Sequence, residues 1–194
     1  NDTLTGGAGI DILDGGAGDD WLGTFGGLTA GDIAIGGSGS DTVNFYHGGQ
    51  TTGVTIDLLT GEAAGASWSG VEFLLGEFGS GNDRLTVGMQ LHAFSGGDGV
   101  DTLTLDYSGA LADGRTVSSL DLQGLTGGYN EGVLLSDGAG ISFNISYFES
   151  FNITGSAGGD VIIGGGAGNT LLGAGGNDTL TGGAGIDILD GGAG

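Results

Sequence analysis

Gly182–Asp190 reads GGAGIDILD, and Gly6–Asp14 reads GGAGIDILD again. In both, glycine stands at places one, two and four, aspartate at place six and an apolar residue at place eight. A glycine-rich turn followed by a short x-apolar-x tail, repeated every nine residues, is the sequence form of a stacked solenoid. The unit can be followed outward from each end. Asn1–Thr5 is the second half of one, and Gly15–Gly23 (GGAGDDWLG) follows Gly6–Asp14 without a gap. After a slip of three residues come Gly27–Ile35 (GLTAGDIAI) and Gly36–Asn44 (GGSGSDTVN). A middle block holds Phe78–Thr86 (FGSGNDRLT), the degenerate Val87–Ser95 and Gly96–Thr104 (GGDGVDTLT). From Gly155 the chain runs in strict nines: GSAGGDVII, GGGAGNTLL, GAGGNDTLT, GGAGIDILD and a final GGAG.

The chemistry explains the spacing. Places one, two and four need a positive φ or close backbone approach, which glycine permits. Alternate carbonyls of such a turn point to one side, so places two and four both offer oxygen, and the aspartate adds a carboxylate. Calcium takes about six to eight hard oxygens. One turn supplies about half of that set, so two stacked turns must share an ion. The tail alternates in and out as a strand does. Its eighth residue points into a narrow core: Leu4, Leu13, Leu22, Val43, Leu85, Leu103, Ile162, Leu171, Leu180 and Leu189.

These units resemble the RTX family of secreted bacterial proteins, and the resemblance covers both ends and the middle block. It implies an all-β chain wound as a right-handed parallel β-roll, two nonapeptides to a coil, with several calcium ions held between turns along each edge. Carried onto this sequence, it implies carboxylate ligands at Asp2, Asp11, Asp20, Asp32, Asp41, Asp83, Asp101, Asp160, Asp178 and Asp187. It implies carbonyl ligands at Gly7, Gly9, Gly16, Gly18, Gly37, Gly39, Gly97, Gly99, Gly183 and Gly185. The sequence departs from the pattern at Asn169 and at His92, where calcium binding is expected to be weak or lost.

Composition fits. Of 194 residues, 50 are glycine, with no proline and no cysteine. There is no Gly-X-Y period, so collagen is excluded. The formal charge is −22, with Arg84 and Arg115 the only basic side chains besides two histidines. Such charge favours an unfolded chain, so folding is expected to be coupled to calcium, which neutralises aspartates where they converge. The absence of proline leaves every strand N–H available to a ladder. Disulfides and cysteine metal sites are excluded. Cytosolic free calcium is too scarce for such sites, so an extracellular or cell-surface location is expected, and the RTX resemblance implies that type I secretion delivers it there. No apolar run reaches membrane-span length, and the acidic surface argues against nucleic acid. The first residue lies inside a repeat, which is expected of a segment cut from a longer protein.

A longer period lies over the short one. Asn1–Gly18 is identical to Asn177–Gly194, an offset of 176 positions. This implies a tandem array of 176-residue units. Within the unit, two halves correspond: DTVNFY from Asp41 matches DTLTLDY from Asp101, and Glu72 and Glu149 each lie eleven residues before an aspartate, Asp83 and Asp160. The organisation expected is β-roll at 1–44, a wider β insert at 45–77, β-roll at 78–104, a second insert at 105–154 and β-roll at 155–194. The inserts hold most aromatics (Phe45, Tyr46, Trp68, Phe73, Tyr107, Tyr129, Phe143, Tyr147, Phe148, Phe151) and are expected to fill broader coils of the same solenoid. A structural role such as binding a turn or calcium is expected for Glu72 and Glu149, and no catalytic constellation is evident.

The function expected is a calcium-dependent structural module of a long secreted surface protein: a filament, sheath, surface layer or adhesin stalk, with no enzymatic activity. End-to-end or lateral packing of copies is a candidate partnership. The alternatives are an export and folding module attached to a secreted enzyme, and an adhesin module that binds a ligand such as sugar or ice through its flat face or its insert aromatics.

Overall fold

A computed structural model describes residues 1–25, 31–57, 62–63, 65–87, 92–108, 120–121, 130–133 and 142–194. Tyr129 lies outside them, as do the side chains of His92 and Phe143. Among the described residues all regular structure is β, and no helix is long and apolar enough to cross a membrane.

The nonapeptide tails become short strands and the glycine turns join them. At the N-terminal end, β1 (Thr3–Thr5), β2 (Ile12–Ala17), β3 (Trp21–Phe25), β4 (Ile33–Ser38) and β5 (Thr42–Tyr46) alternate between two sheets. Thr3 pairs with Trp21 in parallel, one coil of eighteen residues apart. The slip of three residues widens the next coil, so Trp21 pairs with Thr42 and Ile12 with Ile33. Farther along, β10 (Arg84–Val87), β12 (Thr102–Asp106), β16 (Ser150–Thr154), β18 (Thr170–Leu172) and β20 (Ile188–Asp190) stack in one parallel series. They continue the sheet that begins with β2, which reaches ten strands with β2 at one edge and β20 at the other.

The facing layer is built in two parts. One is a seven-stranded sheet of β1, β3, β5, β9 (Phe73–Glu77), β11 (His92–Ser95), β15 (Ser142–Ser146) and β14 (Asn130–Val133). The other is a three-stranded sheet of β13 (Leu120–Asp121), β17 (Val161–Ile163) and β19 (Thr179–Thr181). The β-roll architecture expected from the repeats is present, in parallel ladders that keep the nonapeptides in phase.

The inserts differ from the broader parallel coils expected of them. In the first, β6 (Thr55–Asp57), β7 (Glu62–Ala63) and β8 (Ala66–Ser69) form an antiparallel zigzag. Their order in the sheet runs backwards, with β8 on β4 and β6 on β10. Ala63 pairs with Ala66, so only two residues form the connection, and Gly65 takes a φ of 87° there. That left-handed glycine lets the chain reverse within one sheet, where a nonapeptide turn would carry it across to the other. In the second insert β14 is antiparallel to β15.

Burial follows the period of two. Leu22, Val43, Leu85, Leu103, Ile162 and Leu171 are fully buried and Leu13 nearly so. Leu4 and Leu180 are half-buried and Leu189 is exposed, because the stack is open at its ends. Insert aromatics enlarge the core midway. Phe45, Phe148 and Phe151 are buried, joined by Phe78 and Phe94. Phe45 meets Trp68 edge-on at 5.2 Å, and Phe78 meets Phe148 edge-on at 6.3 Å. Such rings supply the bulk that nonapeptide side chains lack. Tyr46 and Tyr147 stand outside that core, 46 % and 41 % exposed.

Candidate metal centre

The turns carry the chemistry, and their geometry begins with glycine. Gly7, Gly9, Gly16, Gly18, Gly37, Gly39, Gly97, Gly99, Gly183 and Gly185, at places two and four, all have φ between 85° and 143°. A side chain is strained there. At Gly37 and Gly39, inside the stack, space is closed as well: a Cβ on Gly37 would strike the Gly16 carbonyl, and one on Gly39 the Gly18 carbonyl. The carbonyls of places two and four in one turn therefore point along the stack at the next. Some already hold an N–H there, as Gly79 accepts from Asp98 at 2.9 Å.

Place one is glycine for a different reason than left-handed backbone. Gly15, Gly36 and Gly96 have no positive φ, but a Cβ on any of them would meet the carboxylate of its own turn's aspartate. The aspartate folds back over that glycine with Oδ2, while Oδ1 reaches to the preceding turn.

The aspartates form a ladder. The backbone N–H of Asp2 donates to Asp20 Oδ1 at 2.6 Å, and that of Asp20 donates to Asp41 Oδ1 at 2.8 Å. Asp11 donates to Asp32 at 2.8 Å, Asp83 to Asp101 at 2.7 Å and Asp160 to Asp178 at 2.9 Å. The backbone of Asn169 donates to Asp187 at 2.9 Å. All ten aspartates carried over from the repeat pattern thus lie in these pairs, in files along the edges of the stack. A second, outer ladder at place five has no counterpart in the sequence reading: Asp19 N–H donates to Asn1 Oδ1, Ser40 N–H to Asp19 Oδ1 and Val100 N–H to Asn82 Oδ1.

The ladder uses one carboxylate oxygen of each accepting aspartate, and in five of those described the other finds no partner. Oδ2 of Asp20, Asp41, Asp83, Asp101 and Asp178 is buried with no hydrogen-bond partner. An unpartnered buried anion is costly unless a cation answers it. Burial pushes the Asp101 carboxyl from 3.8 up to about 7, and Asp83, Glu149 and Asp98 add to the rise by repulsion. Burial raises Asp83 too, against the opposing effect of the Val54 N–H.

Among the described residues no three carboxylates or imidazoles converge as a ligand group on their own. The oxygens available in each gap are one carboxylate per turn together with backbone carbonyls. That donor set, all hard oxygen and negatively charged, fits calcium and not a soft metal.

Asn169 shows the shape of the gap with a proton donor in it. Its Nδ2 donates to the Ala167 carbonyl at 2.7 Å, the Gly182 carbonyl at 2.8 Å and Asp187 Oδ1 at 2.9 Å. A carbonyl of the same turn, the place-one carbonyl of the next turn and the next carboxylate all face one point. In the turns of Asp20, Asp41, Asp83, Asp101 and Asp178 Oδ2 takes the place of that NH₂ group and has no hydrogen-bond partner, whereas Asp160 Oδ2 accepts from the Ser156 N–H at 2.8 Å.

Two members of the ladder were expected from the sequence only to bind a turn or calcium, without a partner named. Asp41 N–H donates to Glu72 Oε2 at 2.8 Å and Asp101 N–H to Glu149 Oε2 at 3.0 Å, so glutamate serves where the nonapeptide register breaks. The signal available was their matching position in the two halves.

The family model for the RTX calcium-binding nonapeptide repeat matches in four copies, over residues 1–23, 152–180 and 163–194. No curated protein matches the chain significantly. Repeats of this kind typify secreted proteins, and calcium is their ion. The matched segments are the strict nonapeptides at the two ends, whose glycine turns and aspartate ladder are described above, and these segments are RTX calcium-binding nonapeptide repeats.

Proposed function

We propose that this chain is a structural module of a secreted surface protein, one period of a tandem array that builds a calcium-stiffened rod. The observation that carries this is the placement of the duplicated coil. Ile12 of the first copy lies in an edge strand of the ten-stranded sheet, and Ile188 of the identical second copy lies in the opposite edge strand. Each copy presents the same strand at its own end, so a further unit could continue the register without a change of sequence. Solenoids suit this work, since each coil touches only its neighbours and length extends freely. The module's role in this reading is mechanical, not catalytic.

The test is a chain of two 176-residue units joined through the shared coil. In millimolar calcium, small-angle scattering should show a maximum dimension longer by about 45 Å, from strands about 4.8 Å apart. A two-unit particle no longer than the single one would sink the proposal.

A further inference from the structure

Glu72 and Glu149 sit in two copies of one arrangement. Each closes a three-residue turn that begins with a left-handed residue, Gly70 at φ 60° and Tyr147 at φ 57°. The backbone N–H groups of Glu72 and Phe73 both donate to the Asp41 carbonyl, and those of Glu149 and Ser150 both donate to the Asp101 carbonyl. A tyrosine held at positive φ, as the counterpart of a glycine, indicates that the surrounding structure imposes this turn.

In a regular rung the place-one carbonyl of the next turn and Oδ2 of the aspartate converge on one glycine, as Gly36 O and Asp20 Oδ2 do over Gly15. The short turns reproduce this. Gly70 O and Asp41 Oδ2 converge over Gly36, and Tyr147 O and Asp101 Oδ2 converge over Gly96. Asp41 and Asp101 are fully buried, and neither Oδ2 has a partner. Two acceptors face one another with no proton between them, beside a glutamate that brings a second negative charge. Asp83, Asp98 and Glu149 all act on Asp101 by repulsion, which a dication would relieve. At Asn169 the equivalent acceptors are held by an NH₂ group, so they do require something positive.

A ladder bond alone does not call for glutamate, since a neutral amide oxygen accepts an N–H as well. We propose that Glu72 and Glu149 complete two further calcium sites, one with Asp41 and the Gly70 carbonyl, the other with Asp101 and the Tyr147 carbonyl. These would extend the metal files across the points where the nonapeptide register is lost. This rests on the calcium reading of the regular turns. The glutamate form of the site suits a turn of three residues in place of six, because the longer side chain spans what the shorter backbone cannot.

The test counts ions on the full chain. Glu72→Gln and Glu149→Gln keep an oxygen for the ladder N–H and lose only charge. Calorimetric titration with calcium should give one ion fewer for each single variant and two fewer for the double, with the calcium-loaded circular dichroism unchanged. Parent stoichiometry in all three variants overturns the proposal. If a glutamine variant fails to reach the parent's calcium-loaded spectrum, the site is read with both glutamates intact. Terbium then replaces calcium, and Tyr147→Phe should lower the sensitised emission relative to the parent, because the Tyr147 carbonyl is a ligand. Equal emission overturns the Glu149 site. A parent that binds no calcium at all would instead bring down the reading on which this one rests.

Discussion

Asn169 Nδ2 donates to Asp187 Oδ1 at 2.9 Å, and the same oxygen accepts the backbone N–H of Asn169, also at 2.9 Å. One amide thus closes a gap that at Asp20, Asp41, Asp83, Asp101 and Asp178 leaves Oδ2 without a partner. Asn169→Asp removes all three donations and adds a buried charge. In chelator, if the chain retains measurable structure, the variant should be less stable by about 1–3 kcal/mol. In millimolar calcium that loss should reverse, with one ion more in the titration. Thermal melts with and without calcium check both halves, and identical melts in chelator would remove the amide from this role.

Ala174 stands at place two of its turn with φ 69°, where the neighbouring turns have glycine. Ala174→Gly should relieve about 1 kcal/mol of backbone strain and raise the calcium-loaded melting temperature by about 2–4 °C. Gly37→Ala should go the other way and further, since φ is 107° and the new Cβ would strike the Gly16 carbonyl. Equal melting points for both variants would show that these turns tolerate side chains.

From the net charge of −22 and the unpartnered Oδ2 atoms we expect folding to be coupled to calcium. Chelator should abolish most of the β signal in circular dichroism, and millimolar calcium should restore it, because the ion stabilises only the folded chain. A β-rich spectrum that persists in excess chelator would count against the coupling.

Acid should act on the metal-free and metal-loaded chains in opposite directions. Asp101 is raised from 3.8 to about 7 by burial and neighbouring carboxylates, so the fold favours its protonated form. That contribution is full below about pH 4 and is lost as pH rises through about 7. In chelator, any residual fold should therefore melt higher at pH 5 than at pH 8. With calcium the order should invert, because the ion needs the ionised carboxylate. Melts across this range in both conditions decide it.

Much of this was legible in the sequence because the nonapeptide ties backbone and ligand together. Leu22, Val43 and Leu103 face inward because each lies two residues after its aspartate. Gly37 and Gly39 are left-handed because the turn requires it. What escaped was set by contacts between coils. Nothing near Asp20 in sequence says that its Oδ1 accepts from Asp2, eighteen residues earlier. For the glycine at place one the sequence left positive φ and close approach both open, and contact with its own turn's aspartate decides for close approach. The reversal at β6–β8 escaped because alternation gives a strand's faces and not its direction. The correspondence of Glu72 and Glu149 was visible, but the shared turn that explains it rests on φ at Gly70 and Tyr147.

The ladder bond joins residues 18 apart at Asp83 and Asp101, 21 apart at Asp20 and Asp41, 31 apart at Asp41 and Glu72 and 48 apart at Asp101 and Glu149. The scaffold therefore counts rungs and is indifferent to the length of chain between them. Doubling a connecting loop costs only about 0.6 kcal/mol in closure entropy. The two glutamate junctions thus act as ports, where foreign sequence could be grafted for display without altering the spacing or direction of the scaffold that carries it.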